Sequence, residues 1–130
     1  MSLLVATVDG TYAVDLDTDE VEPADPFVAA PAPALNLPRV VAAAAAGSAV
    51  VAAVDMRPPL AVSHDAGATW RESGRGLPPG VAVAIADDDP DTMAYATRNR
   101  LYLSRDGGVF WTALAVELPA IVALGFSAPG

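Results

Sequence analysis

The stretch S-H-D-A-G-A-T-W at residues 63–70 has a near copy 41 positions later, S-R-D-G-G-V-F-W at residues 104–111. The two copies share Ser, Asp, Gly and Trp at matching positions. A gapless shift by the same 41 residues places all of residues 40–70 on residues 81–111. Self-similarity at one fixed period is typical of proteins built from repeated structural units. The chain is therefore predicted to consist of repeats.

The rest of the chain follows the same period. Leu-Pro pairs recur just before apolar runs, at residues 37–38, 77–78 and 118–119. Val122 falls in register with Val81, so the pattern restarts at the end of the chain. We predict a single domain over residues 1–130 with three repeats: 37–76, 77–117, and a split repeat formed by 1–36 plus 118–130.

Each repeat divides into short β-strands. The segment V-A-V-A-I-A at residues 81–86 alternates bulky and small side chains, which is the two-residue period of a strand. Turn residues separate it from further predicted strands at 93–97, 101–104 and 110–114, with the first turn at 87–91. Four strands in one such repeat match one blade of a β-propeller. The predicted fold is therefore all-β, with three four-stranded blades.

The first blade is predicted to use both ends of the chain. Its strands are expected at residues 3–8, 12–15 and about 21–28, and residues 121–126 supply the missing inner strand, so the C-terminal strand closes this blade. An alternative for residues 40–46 is an alanine-rich helix, because Ala is the best helix former. Their repeat partner at 81–86 is rich in β-branched residues, which favours a strand. The alanines then suit an inner strand packed on both faces.

The two eight-residue motifs resemble Asp-boxes, S-x-D-x-G-x-T-W, of the BNR-repeat β-propellers, a superfamily that includes sialidases and sortilin-like receptors. The resemblance implies that the motifs are structural hairpins on the side of the ring opposite an active site. The implied box residues are Ser63, Asp65, Gly67, Trp70, Ser104, Asp106, Gly108 and Trp111, with Asp17 left in a degenerate first copy.

Residue chemistry gives the box positions physical roles. The Asp side chains are expected to accept backbone N–H groups of their own turn. The Gly residues supply a positive φ, and the Trp residues begin the outer strand and cover the turn.

Composition excludes several classes of function. The chain has 16 acidic residues against 7 basic ones, a net charge of −9, and no cysteine. This argues against nucleic-acid binding and excludes thiolate sites. All basic residues are Arg, which fits either a salt-adapted cytoplasm or the codon bias of a GC-rich genome. No targeting segment and no apolar run of bilayer length occurs, so a soluble cytoplasmic protein without a membrane partner is expected.

Catalysis, metals and cofactors are not expected. Sialidase-like chemistry needs three arginines around a carboxylate, a Tyr–Glu pair and an acid/base group, and the family's F/Y-R-I-P sequence is absent. The acidic runs 15–19 and 87–91 are interpreted as a degenerate box and a solvated turn rather than calcium sites. His64 occupies a variable motif position on an exposed turn and is not expected to be a ligand.

Arg57, Arg98 and Arg100 are the candidate binding residues. They fall on predicted turns between the second and third strands, opposite the motifs, where they could accept an acidic partner or an anionic ligand. The alternative is that they form surface ion pairs with neighbouring Asp. The expected function is a non-catalytic interaction module that binds a protein partner. A lectin-like site for a small anion or glycan is the alternative, and a sialidase-like glycosidase is third.

Three blades are too few for a ring, since propellers have typically 4–8 blades. An open arc is expected to leave two apolar blade faces in water. A two-fold pair of chains gives six blades and covers both faces, so a homodimer is predicted, with residues 121–126 completing a blade of either the same or the partner chain.

Overall fold

The computed structural model describes residues 1–127, so the last three residues of the predicted segment 118–130 lie outside it. The described chain is folded entirely into β-strands and connections. The strands are β1 (Ser2–Thr7), β2 (Gly10–Asp15), β3 (Val21–Pro23), β4 (Val40–Ala46), β5 (Ala49–Val54), β6 (Leu60–Ser63), β7 (Arg71–Ser73), β8 (Ala82–Ala86), β9 (Asp89–Ala96), β10 (Arg100–Ser104), β11 (Thr112–Glu117) and β12 (Ile121–Phe126).

These strands form three four-stranded antiparallel sheets. The first sheet has the order β12-β1-β2-β3, the second β4-β5-β6-β7, and the third β8-β9-β10-β11. The all-β prediction is confirmed. Strand β12 pairs with β1 of the same chain, with Gly125 opposite Leu4. The C-terminal strand thus completes the first sheet of its own chain.

The alternative of a helix over residues 40–46 is wrong, because β4 pairs with β5 along its length. Some strand bounds also differ from prediction. The turn after β8 contains only Asp87 and Asp88, since Ala86 already pairs with Asp89. Strand β3 ends at Pro23 instead of near residue 28, and the following sequence has further prolines, which have no N–H to donate to a ladder.

The third sheet lies between the other two. Its first strand, β8, contacts both β4 and β12. Side chains alternate along β8: Val83 and Ile85 pack in a cluster with the second sheet, whereas Ala82 and Ala84 pack in a cluster with the first. The core therefore consists of two interfaces, one on each face of the third sheet. Strand β8 contributes its larger residues to the interface with the second sheet and its alanines to the interface with the first.

The burial of the second sheet, which lies at one end of the row, differs from prediction. Packing on both faces holds for β8, which is buried throughout, but not for β4, whose residues are mostly half-buried or exposed. The outer face of the second sheet is also less bare than expected. Val50 and Ala52 alternate with the interface residues Val51 and Ala53, and they are only 4% and 0% exposed.

One connection is much longer than the others. The segment 24–39, called the linker below, joins β3 of the first sheet to β4 of the second, whereas 74–81 and 118–120 join sheets that are neighbours in space. Its length follows from the third sheet lying between the two that it connects. Among the described residues, no helix is long and apolar enough to cross a membrane.

Candidate functional site

The turn at residues 63–70 is held by side chains at its two ends. Ser63 Oγ donates to Asp65 Oδ1 at 2.7 Å and accepts the Gly67 N–H at 2.8 Å. The Asp65 carboxylate accepts the Thr69 N–H at 2.8 Å and the Thr69 hydroxyl at 2.5 Å. The Trp70 indole lies over Gly67, so that a Cβ at Gly67 would meet Trp70 Cζ2 at 3.4 Å.

The turn at residues 104–111 repeats this network. Ser104 Oγ donates to Asp106 Oδ1 at 2.8 Å and accepts the Gly108 N–H at 2.9 Å. Asp106 Oδ1 also accepts the N–H groups of Val109 and Phe110 at 3.2 and 3.1 Å. Those two N–H groups are therefore unavailable to a sheet, which explains why β11 begins at Thr112 and not at residue 110 as predicted.

The corresponding turn of the first sheet works differently from the prediction. Its backbone acceptor is Asp15, whose Oδ1 accepts the N–H groups of Asp17 and Thr18 at 2.8 and 3.2 Å. The Asp17 carboxylate instead lies 3.7 Å from the Arg105 guanidinium. Asp17 thus occupies the expected place, two residues after the end of a strand, but Asp15 performs the turn-holding role.

Hydrogen bonding lowers the pKa of the turn aspartates. The Thr69 hydroxyl and N–H, followed by Ser63, hold the pKa of Asp65 at about 2. The Phe110 N–H and the Ser104 hydroxyl lower the pKa of Asp106, and the Asp17 N–H lowers that of Asp15. These carboxylates are therefore committed, as anions, to their own turns.

The two turns are also joined to each other and to the first sheet. His64 Nε2 lies 3.1 Å from the carbonyl oxygen of Gly107, and Arg105 reaches Asp17. His64 and Arg105 occupy the same motif position, directly before the Asp. In each copy this residue contacts the turn of the neighbouring sheet. Sequence reasoning missed this role; its only sequence signal is a long polar side chain at a variable position in both copies.

A second link runs between the outer strands. Trp111 Nε1 donates to Ser73 Oγ at 2.9 Å, and the Ser73 hydroxyl donates to the carbonyl oxygen of Gly108. The Trp111 ring also meets the buried Tyr95 edge-on, with ring centroids 6.1 Å apart. Trp111 therefore joins the third sheet to the second.

The candidate arginines lie at turns of two different sheets. Arg57 lies in the turn between β5 and β6, whereas Arg98 and Arg100 lie at the turn between β9 and β10. The Arg98 carbonyl accepts the Ile121 N–H at 2.7 Å, so that turn packs beside the connection to β12. The alternative interpretation was that these arginines form ion pairs with neighbouring Asp. Within residues 1–127, none of the three forms an ion pair.

Arg57 instead shares a groove with an arginine that sequence reasoning did not select. Residues 56–59 form one wall, and residues 75–79 form the other, with Glu72 beside them. The open groove between them has a volume of about 740 Å³. Because four prolines line it, we call it the proline groove. Arg57 and Arg75 supply its two positive charges, and Glu72 its negative one.

A second groove follows the three inner strands. It has a volume of about 880 Å³ and is lined by parts of β4, β8, β12 and the linker. Val41, Val81 and Val122 line it and remain 51%, 38% and 60% exposed. Phe27 of the linker rests on Gly125, where an added Cβ would lie 2.9 Å from Phe27 Cε2. We call this the inner-strand groove.

The acidic runs 15–19 and 87–91 are the stretches of the chain richest in possible calcium ligands. Among the described residues, no group of three or more His, Asp or Glu side chains is arranged to hold a metal ion. Thr92 Oγ1 donates to Asp89 Oδ2 at 2.8 Å, so one carboxylate of the second run is used locally.

Comparison with known proteins supports the fold. No protein-family model matches the chain, and no curated protein matches its sequence. Among solved structures, the chain is similar to a GH74 enzyme of Niastella koreensis, a member of a β-propeller family, with a TM-score of 0.54 and 24% identity. The match covers 94% of this chain but only 19% of the GH74 chain. The likeness shows a propeller-like fold.

Proposed function

We propose that this chain is a non-catalytic β-propeller interaction module with Asp-box hairpins, and that a second copy of the chain completes its ring. The carrying observation is that the three sheets stand side by side without closing, and the inner-strand groove adds exposed apolar positions. Three valines that line it stay exposed in a single chain: Val81 and Val122, which match in the repeat, and Val41, which lies one position from the matching residue. Exposed apolar positions repeated along one surface are typical of an interaction site.

A second copy is the partner that fits an incomplete propeller. Three sheets stand side by side without closing, and a two-fold pair supplies six, within the range of known propellers. Each chain carries a net charge of −9, so two copies repel each other at low ionic strength. Added salt screens this repulsion, and we therefore expect association to strengthen with salt.

The carboxylates that line the inner-strand groove support a binding role over a hydrolytic one. They belong to Asp87 and Asp88, which are adjacent and exposed in one turn. A glycosidase of the usual kind needs two carboxyl groups on opposite sides of the bond it cleaves. Assay of sialosides and β-glucans with the full chain tests the hydrolytic alternative, and turnover of either class would overturn the proposal.

Light scattering coupled to size-exclusion chromatography tests the pairing. We expect about twice 13.2 kDa at high salt and a shift toward 13.2 kDa at low salt. Val122→Asp should abolish pairing while preserving the fold, because Val122 is 60% exposed in one chain. Val8→Asp is the matched control, since Val8 is 67% exposed but lies outside the groove. A folded 13.2 kDa species at every salt concentration overturns pairing.

A further inference from the structure

The proline groove has a preformed shape. The buried Tyr95 donates its hydroxyl to the carbonyl oxygen of Pro78 at 2.7 Å, and its ring lies so close to Gly80 that a Cβ there would meet it at 2.0 Å. On the other wall, the Pro59 carbonyl accepts the Val54 N–H at 2.8 Å. Both walls are thus attached to the core, and a ligand need not order them.

The walls of the groove are apolar and poor in hydrogen-bond donors. Pro58, Pro59, Pro78 and Pro79 have no N–H group, and Met56 and Leu77 add apolar side chains. A volume of about 740 Å³ is in the range of small-molecule sites. The groove therefore suits a compact ligand with an apolar body.

The charged residues of the groove indicate which polar group the ligand carries. Arg57 and Arg75 are exposed, and within residues 1–127 neither forms an ion pair. Guanidinium groups only donate hydrogen bonds, and their planar fork matches a carboxylate. Glu72 is the one acidic residue in the lining, so the groove is locally positive in a chain of net charge −9.

We propose that the proline groove is a binding site for a small organic carboxylate, in which Arg57 and Arg75 hold the carboxylate and the prolines hold an apolar body. The site lies apart from the inner-strand groove and shares no lining residue with it. The proposal therefore does not rest on the pairing of two chains.

Titration of the full-length chain with 4-phenylbutyrate, followed by amide NMR shifts, tests the site. We expect saturable shifts at Met56, Arg57, Gly76 and Leu77, and weaker binding of the neutral analogue 4-phenylbutanol. Arg57→Gln and Arg75→Gln should each weaken binding of the carboxylate by about 3- to 10-fold. Glu72→Gln should strengthen it, because a repelling carboxylate is removed from the groove.

Arg98→Gln is the matched control. It removes an exposed arginine from another turn and should change the affinity by less than about 2-fold. Unchanged amide dispersion shows that each variant is folded. Three outcomes would overturn the site: no saturable shifts up to the solubility of the probe, equal binding of the alcohol, or equal loss in Arg98→Gln and the groove variants.

Discussion

His64 Nε2 donates a hydrogen bond to the carbonyl oxygen of Gly107, 3.1 Å away, and so joins two turns that lie 43 positions apart in the chain. A carbonyl oxygen can only accept, so Nε2 carries the proton in this contact. Arg105, at the same motif position one repeat later, reaches Asp17 of the first sheet. One variable position therefore supplies the contacts between all three turns.

Removing the His64 contact should destabilise the fold. We expect His64→Ala to lower the free energy of unfolding by about 0.5–1.5 kcal/mol, the usual contribution of one hydrogen bond. His64→Gln, which retains a donor, should lose less. Arg105→Ala should cost about 0–1 kcal/mol and less at high salt, because the pair is exposed to solvent. Urea unfolding measures all three, and a larger cost for Arg105→Ala would contradict this order.

Ser104→Ala tests the hydrogen bonds that hold the turn at residues 104–111. Ser104 is 1% exposed, and its hydroxyl satisfies both the Gly108 N–H and Asp106. Leaving that buried N–H without a partner should cost about 1–3 kcal/mol. Ser48→Ala, in an exposed turn, is the control and should be nearly neutral. Equal unfolding midpoints for the two variants would refute the structural role of the motif.

Trp111 can be dissected by two substitutions. Trp111→Phe retains much of the packing on Tyr95 but removes the donor to Ser73, so we expect a loss of about 1 kcal/mol. Trp111→Ala also removes the ring and should cost about 3 kcal/mol or more. Denaturation followed by circular dichroism measures both without relying on tryptophan fluorescence. Similar losses in the two variants would mean that the ring itself contributes little.

Stability should fall in acid because of the turn aspartates. The pKa of Asp65 is held at about 2, below its ordinary value of 3.8. A lowered folded-state pKa contributes stability above the ordinary pKa, and this contribution is lost as the pH falls from about 4 through about 2. Asp65→Asn should be less stable at neutral pH and should show a shallower loss across that range. Urea midpoints against pH measure the slope, and an unchanged slope in Asp65→Asn would contradict the assignment.

Ala66 and Gly107 occupy matching motif positions with positive φ, 58° and 71°. That conformation strains Ala but not Gly. Ala66→Gly should therefore be neutral or stabilising by up to about 0.5 kcal/mol, despite the greater freedom of Gly in the unfolded chain. Gly107→Ala should destabilise by about 1–2 kcal/mol, since its Cβ would also lie 2.9 Å from His64 Cε1. Thermal melts of the two variants test this: the melting temperature should stay the same or rise in Ala66→Gly and fall in Gly107→Ala.

The sequence by itself determined the local units. The period of 41 residues, the alternation at residues 81–86 and the two motifs predicted three four-stranded sheets, and the register of Val122 predicted that the C-terminal strand completes the first. Strand alternation and turn hydrogen bonds act over a few residues, so they are written in the local sequence. The exact start of β11 was missed because Asp106 takes two N–H groups from the ladder.

Only the tertiary structure decided which side-chain contacts join neighbouring sheets. The contacts of His64 with Gly107 and of Trp111 with Ser73 join residues 43 and 38 positions apart, and their geometry depends on how neighbouring sheets pack. The same packing places Arg57 and Arg75 along one groove, and it leaves β4 mostly half-buried or exposed while burying β8. Repeats with equal sequence patterns thus acquire different surroundings, because a middle sheet has two neighbours and an end sheet has one.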